Sequence, residues 1–245
     1  TGIGASALYS NTTASNNTAV GYQAAYTNTT GAGITALGAY AAQDHTTGSE
    51  FTAIGYFSGS DNTTGTQNTT VGAGSLRFNT TGSYNSVLGW QALHNNTTAS
   101  NNTAVGYQAA YTNTTGGTNT ALGDSSFFTN TTGYGNSSVG WESLYSNTTG
   151  ALNTAIGRQS LYANTTASNN TAVGYRAGYS QTTGSGANAF LGIYAGNGAT
   201  STYNTMIGPY AGYLITSGDK NTILGGYSGN QNGVDIRTAS NKVIL

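Results

Sequence analysis

Few residues of this 245-residue chain could catalyse a reaction or bind a metal ion. It has seven carboxylates, two histidines and no cysteine. His45 and His94 are separated by nearly three 17-residue repeats, so we expect them not to share a metal ion. Asp44 and Asp61 occupy the same position in consecutive repeats, but a calcium site needs more oxygen ligands than these two side chains supply. We therefore predict no catalytic residue, no metal site and no cofactor.

Sequence motifs of common enzyme classes are also absent. The chain has no G-x-S-x-G elbow, no G-x-x-x-x-G-K-S/T loop and no G-x-G-x-x-G following a strand. We predict that the protein is not an enzyme.

Asparagines followed by Thr-Thr recur along the chain and fit the N-x-S/T pattern of glycosylation sites. They are Asn11, Asn28, Asn62, Asn79, Asn113, Asn130, Asn147 and Asn164. The alternative is a ladder of stacked Asn and Thr side chains that satisfies turn backbone. We favour the ladder, because structure alone imposes one residue type at one position of every repeat.

Aromatic residues follow several of the repeated glycines and could stack on the faces of sugars. The candidates for glycan contact are Tyr22, Trp90, Tyr107, Trp141 and Tyr175. Asp and Arg occur at the same positions, which indicates exposure to solvent. Stacking of the rings on one another is the alternative, and we favour it.

Regular Thr columns and low charge also suggest an ice-binding surface. Thr12 and Thr13 are adjacent, however, and adjacent residues of an extended strand face opposite sides. We therefore expect no T-x-T face from this pair and keep ice binding as an alternative of another class.

A 17-residue repeat organises all of these positions. A glycine recurs every 17 residues, and an aliphatic residue always precedes it. We predict that the glycines form coil corners: Gly21, Gly38, Gly55, Gly72, Gly89, Gly106, Gly123, Gly140, Gly157 and Gly174. We predict that the aliphatic residues form a buried core column: Val20, Leu37, Ile54, Val71, Leu88, Val105, Leu122, Val139, Ile156 and Val173. Three residues after each glycine lies an Ala or Ser, which we expect to be buried where backbones approach closely.

The repeat predicts an all-β fold. β-compatible residues surround the glycine, no 3.6-residue apolar spacing runs through the repeat, and N-T-T-G segments favour turns. We predict a β-solenoid, or parallel β-roll, of about fourteen 17-residue coils over residues 1–232. In residues 233–245 the repeat fails and Val234, Ile236 and Thr238 alternate with charged residues. We expect an extended transition strand there that contacts other chains more than its own.

Composition excludes several classes of protein. Only 5% of the residues are charged, with six Lys and Arg in total, so a basic nucleic-acid groove is not expected. No apolar run approaches the roughly 20 residues of a membrane span, and we expect no membrane insertion. Eighteen Tyr and a single Pro argue against disorder. The chain starts without Met and stops within a pattern, so we expect it to be part of a longer protein.

One coil has little apolar surface to bury against the entropy cost of ordering 17 residues. We therefore expect identical chains to associate with closed symmetry.

The segments NTAVGYQA (Asn17 to Ala24, Asn102 to Ala109) and NTAIGRQS (Asn153 to Ser160) resemble head repeats of YadA-type trimeric autotransporter adhesins, although the repeat of that family is shorter. The whole repeat, together with Gly225 to Leu245, is more similar to fibre proteins of marine and cyanobacterial tailed phages. This resemblance implies a homotrimeric fibre, extracellular on a virion or cell surface, and a cleaved chaperone domain beyond the array.

We interpret the chain as a structural and adhesive fibre protein, a phage tail fibre or a cell-surface fibre shaft. Its expected partners are two further copies of itself and a cell-surface glycan or another host receptor. A bacterial trimeric adhesin head and an ice-binding β-solenoid are the alternatives. A polysaccharide-degrading tailspike would need a carboxylate pair across neighbouring coils, which the sequence does not show.

Overall fold

The computed structural model describes residues 1–245 and is all-β, without a helix. It is a parallel β-solenoid of about 14 coils, most of them 17 residues long, as the repeat predicts. The chain forms two compact units, Thr1–Leu122 and Gly123–Leu245. The strands of the first unit are β1 (Gly2–Ile3), β2 (Thr18–Val20), β3 (Thr35–Leu37), β4 (Thr52–Ile54), β5 (Thr69–Val71), β6 (Ser86–Leu88), β7 (Thr103–Val105) and β8 (Thr120–Leu122).

The second unit contains nine strands. They are β9 (Ser137–Val139), β10 (Thr154–Ile156), β11 (Thr171–Val173), β12 (Ala189–Leu191), β13 (Thr205–Ile207), β14 (Thr222–Leu224), β15 (Asn230–Gln231), β16 (Val234–Asp235) and β17 (Val243–Ile244). Within each unit, consecutive coils contribute parallel strands in register, so that Ala19 pairs with Ala36 and Ala155 with Ala172. The exact recurrence of the sequence explains this register, because equal coil lengths bring identical residues together.

The core column lies one residue earlier in the sequence than we predict. The middle residue of each three-residue strand is buried, from Ala19 and Ala36 to Met206 and Ile223. The predicted column faces outward, half-buried or exposed, at Val20, Leu37, Ile54, Val71, Leu88, Val105, Leu122, Val139, Ile156 and Val173. Neighbouring strand residues face opposite sides, and the narrow interior of one coil accommodates the smaller residue, usually Ala.

The coil interior is filled by two positions that exchange volume. One is the middle strand residue, and the other lies four residues after the corner glycine. Where the first is small, as Ala155 is, the second is large, as Leu161 is, and both are fully buried. Where the first is Phe190, the second is Gly196, and a Cβ on Gly196 would overlap the Phe190 ring. Such complementarity maintains the dense packing of protein interiors.

The repeated glycines lie where successive coils approach most closely. The ten predicted corner glycines have φ between 126° and 142°, a region that only glycine occupies readily. A Cβ on Gly38 would lie 2.6 Å from the carbonyl oxygen of Gly55 in the next coil. Ala24, Ala41 and Ala109, three residues after their corner glycines, are fully buried as predicted.

The C-terminal segment forms a longer coil instead of the extended strand that its alternation predicts. β17 continues the parallel ladder beside β14, with Ile244 paired to Ile223. The residues between them include the antiparallel pair β15–β16, closed by a turn in which Gly233 has φ of 80°. Ile236 is buried within its own chain, whereas Val234 is 46% exposed. The left-handed turn folds the segment back, so the alternating residues do not share one strand face. The contacts expected between chains stay a prediction.

Candidate functional surfaces

The outer face of the parallel sheet is an exposed aliphatic surface. We call it the outer strand face; it consists of the first and third residues of strands β2 to β14. The third residues are aliphatic throughout, and Leu37, Leu88 and Ile156 are 46%, 51% and 42% exposed. The first residues are Thr or Ser except Ala189. In each unit the coils are in register, so this face repeats one hydroxyl column and one aliphatic column.

The predicted glycan-contact aromatics lie at one corner of the coil, after the corner glycine. Tyr22, Trp90, Tyr107 and Trp141 are exposed, and Tyr175 is half-buried. Several contact rings or cations of neighbouring coils. Trp90 stacks on Tyr107 with centroids 5 Å apart to the nearest ångström (4.9 Å) and planes 13° apart. The Arg158 guanidinium lies 4.3 Å from the centre of the Trp141 ring.

A second aromatic column, five residues after the corner glycine, was not singled out from the sequence. In the second unit, Phe128, Tyr145, Tyr162 and Tyr179 stack in series with centroid separations of 5.2, 5.3 and 5.1 Å. In the first unit, Tyr9 stacks on Tyr26 at 5.2 Å. Partial burial raises the pKa of Tyr162, and the neighbouring Glu142 carboxylate raises it further. The signal in the sequence was the recurrence of aromatic residues at this one repeat position.

The Asn residues of the N-x-S/T pattern are interior ladder residues and not surface acceptors of glycans. Asn28, Asn62, Asn79, Asn113, Asn130, Asn147 and Asn164 are essentially fully buried, and Asn11 at the first coil is half-buried. Asn79 Nδ2 donates to the carbonyl oxygen of Gly82 at 2.9 Å, and Asn96 Nδ2 donates to Asn79 Oδ1 at 2.7 Å. The glycosylation candidates are therefore wrong for the folded chain, because their amide nitrogens point inward and are already hydrogen-bonded.

A second Asn ladder runs through the residue before each strand and was not predicted. The backbone N–H and side-chain Nδ2 of Asn85 both donate to Asn68 Oδ1, at 2.9 and 3.0 Å. Asn85 Nδ2 also donates to the carbonyl oxygen of Ala99 at 3.0 Å. Each interior amide thus satisfies backbone groups that a thin coil would otherwise leave unpaired.

His45 replaces Asn in the first ladder and is fully buried. Its Nε2 lies 2.7 Å from the carbonyl oxygen of Gly48, and its Nδ1 lies 2.7 Å from Asn62 Nδ2. Since a carbonyl only accepts and the amide nitrogen only donates, Nε2 carries the hydrogen and Nδ1 accepts. The ring stacks on Phe51 at 4.9 Å. Burial lowers the pKa of His45, and the neutral imidazole mimics an asparagine amide.

The remaining titratable groups do not assemble into a site. Asp44 and Asp61 are neighbours, and burial together with the Asp61 charge raises the pKa of Asp44. No group of three His, Cys, Asp or Glu side chains could hold a metal ion. Asp235 and Arg237 form an exposed ion pair at 2.7 Å, in which hydrogen bonds from Arg237 lower the pKa of Asp235.

The chain has no helix of the length and apolarity needed to cross a membrane. In comparisons with known proteins, no family model, no curated protein and no solved structure matches this chain.

Proposed function

We propose that this chain is a structural and adhesive fibre protein that assembles as a homotrimer through the outer strand face. Its place is extracellular, on the surface of a virion or a cell. The observation that carries the proposal is the aliphatic residue that every coil leaves partly in water, with Leu88 51% exposed. A repeated apolar column of this kind is typical of a surface that another protein covers.

The energetic argument favours a partner along the whole face. Complete burial of a Leu, Ile or Val side chain stabilises by about 1.5–3 kcal/mol. The aliphatic residues are already partly covered by their own coil, so covering the remainder would contribute roughly 1 kcal/mol per coil in each chain. The gain recurs with every coil, which makes association strong even if each contact is weak.

A second copy of the chain is the partner that fits this repeat. The column recurs at the spacing of stacked strands, about 4.8 Å, and a partner must present apolar groups at the same spacing to contact every coil. Identical chains in register meet that requirement. Closed symmetry avoids an open-ended stack, and the number three follows from the resemblance to trimeric adhesin and fibre repeats.

Sedimentation equilibrium tests the assembly. We expect a species of three times the 24.8 kDa of one chain. The double variant Leu37→Lys/Leu88→Lys places charges in the outer strand face and should dissociate the trimer. Gln67→Lys, at an exposed position away from this face, is the matched control and should leave the mass unchanged. A wild-type chain that sediments as a monomer at all concentrations would refute the trimer.

Ice binding is the second candidate, because Thr and aliphatic columns share the outer strand face. Thr18 and Val20 lie on the same side of β2, since strand residues two apart share a face, and the coils repeat this pair in register. Val, Leu and Ile alternate in the aliphatic column, which makes its surface uneven and supports assembly. Thermal hysteresis separates the two functions: an ice-binding monomer shows it, whereas a trimer with this face covered does not.

A further inference from the structure

We propose that a notch among the exposed aromatic residues of the first unit binds one neutral pyranose ring. This inference rests on the adhesive part of the proposed function and deepens it by naming a site and a class of ligand. It does not depend on how many chains assemble, because the notch lies at the glycine corner of three consecutive coils within one chain.

The notch exists because one coil has small residues where its neighbours have large ones. Ala73 and Gly74 follow the corner glycine of the middle coil, whereas the equivalent residues are Tyr56 and Phe57 in the preceding coil. In the following coil they are Trp90 and Gln91. The resulting cavity has a volume of about 180 Å³. Pockets for drug-sized ligands occupy about 300–1,000 Å³, so this notch suits a single small ring.

Trp90 gives the notch an aromatic wall. One face of its indole stacks on Tyr107 in the next coil, 4.9 Å between centroids. The opposite face is directed toward the coil that contains Ala73, where no ring occupies the equivalent position. Aromatic faces carry negative electrostatic potential, and they attract the weakly positive C–H groups that one face of a pyranose presents.

His94 supplies a hydrogen-bond acceptor that the protein leaves unused. The side chain is only 5% exposed, and its Nδ1 lies 2.8 Å from Asn95 Oδ1. Because this amide oxygen only accepts, Nδ1 carries the hydrogen and Nε2 of the neutral ring is an acceptor. Nε2 is buried without a partner. Gly74 keeps it reachable, since even a Cβ at that position would lie 3.8 Å from Nε2.

Arg77 supplies the complementary donor. Its guanidinium lies 4.5 Å from the centre of the Phe57 ring, and its buried Nε–H has no acceptor. A buried polar atom without a partner costs about 1–3 kcal/mol, so a ligand that pairs with Nε and with His94 Nε2 gains from both. Neighbouring hydroxyls of a sugar donate to one and accept from the other. A carboxylate cannot donate to His94 Nε2, which favours a neutral ligand.

Tryptophan fluorescence tests the site, because the chain has only two Trp residues. In a Trp141→Phe background, Trp90 is the sole reporter, and glucose, galactose, mannose and N-acetylglucosamine are titrated separately. We expect a saturable change in emission with at least one of them and a Kd on the order of 1 mM, as suits a ligand of about a dozen heavy atoms.

Variants that fill the notch give the decisive comparison. Ala73→Tyr introduces the residue found at Tyr56 and should weaken binding at least tenfold. Ala39→Tyr makes the same change at the equivalent position two coils earlier and should leave the Kd unchanged. Should Ala73→Tyr misfold by circular dichroism, Gly74→Gln replaces it, because Gln91 adopts a similar φ of 51° against 65° at Gly74.

Three results would overturn the site: no saturable response with any neutral sugar, an unchanged Kd in a folded variant with the notch filled, or a response to glucuronate alone. Sedimentation of the same samples keeps the two proposals distinct. A trimer without sugar binding refutes the notch and preserves the fibre, whereas a sugar-binding monomer does the reverse.

Discussion

Exchange of volume between Phe190 and Gly196 is the most direct test of the coil interior. Phe190→Ala removes a fully buried ring and should destabilise the chain by about 3–5 kcal/mol. Gly196→Leu alone should cost about 1–3 kcal/mol by overpacking, because a Cβ there overlaps the Phe190 ring. The double variant recreates the arrangement of Ala155 and Leu161, and we expect it to be more stable than Phe190→Ala alone.

The backbone permits this exchange. Gly196 has φ of 59° and Leu161 has φ of 48° at the equivalent position, so Leu adopts this conformation in the same solenoid. Recovery should be partial, because the Phe190 ring also reaches toward Gly178, whose Cβ would lie 2.6 Å from it. Urea denaturation followed by circular dichroism, at one protein concentration for all four proteins, gives the coupling free energy. Additive losses within about 0.5 kcal/mol would refute reciprocal packing.

Two further predictions concern the interior ladder. Burial lowers the folded-state pKa of His45, so the unfolded chain binds more protons and stability should fall as the pH drops below about 6.5, by at most roughly 1.4 kcal/mol per pH unit for this group. His45→Asn should reduce that slope in urea titrations between pH 7 and 4, and should give the unpaired Oδ1 of Asn28 a donor; an unchanged slope would contradict the assignment. Asn79→Leu leaves buried groups of the ladder unpaired and should cost about 1–3 kcal/mol for each, whereas Thr81→Ala, at an exposed position of the same turn, should have little effect; equal melting temperatures would contradict a structural ladder.

The sequence by itself determined the period, the coil number and the parallel register. Because residues 17 apart have the same type, only a stack of equal coils places like beside like at every position. The corner glycines could also be found from the sequence, since a position that accepts only glycine over ten coils indicates backbone that a Cβ would obstruct, as it would at Gly38. The burial of Ala24 and Ala109 followed from the same restriction.

The tertiary structure alone decided which side of each strand is inside. Ala19 and Val20 are adjacent and both apolar, so hydrophobicity favours Val20, whereas the width of the coil selects Ala19. It likewise turned the Asn of N-x-S/T patterns inward, because whether an amide faces water or a neighbouring carbonyl depends on the path of the turn. The notch beside Trp90 needs three coils in register before small residues next to large ones become a cavity. Such features arise from distances between coils, which a one-dimensional pattern does not contain.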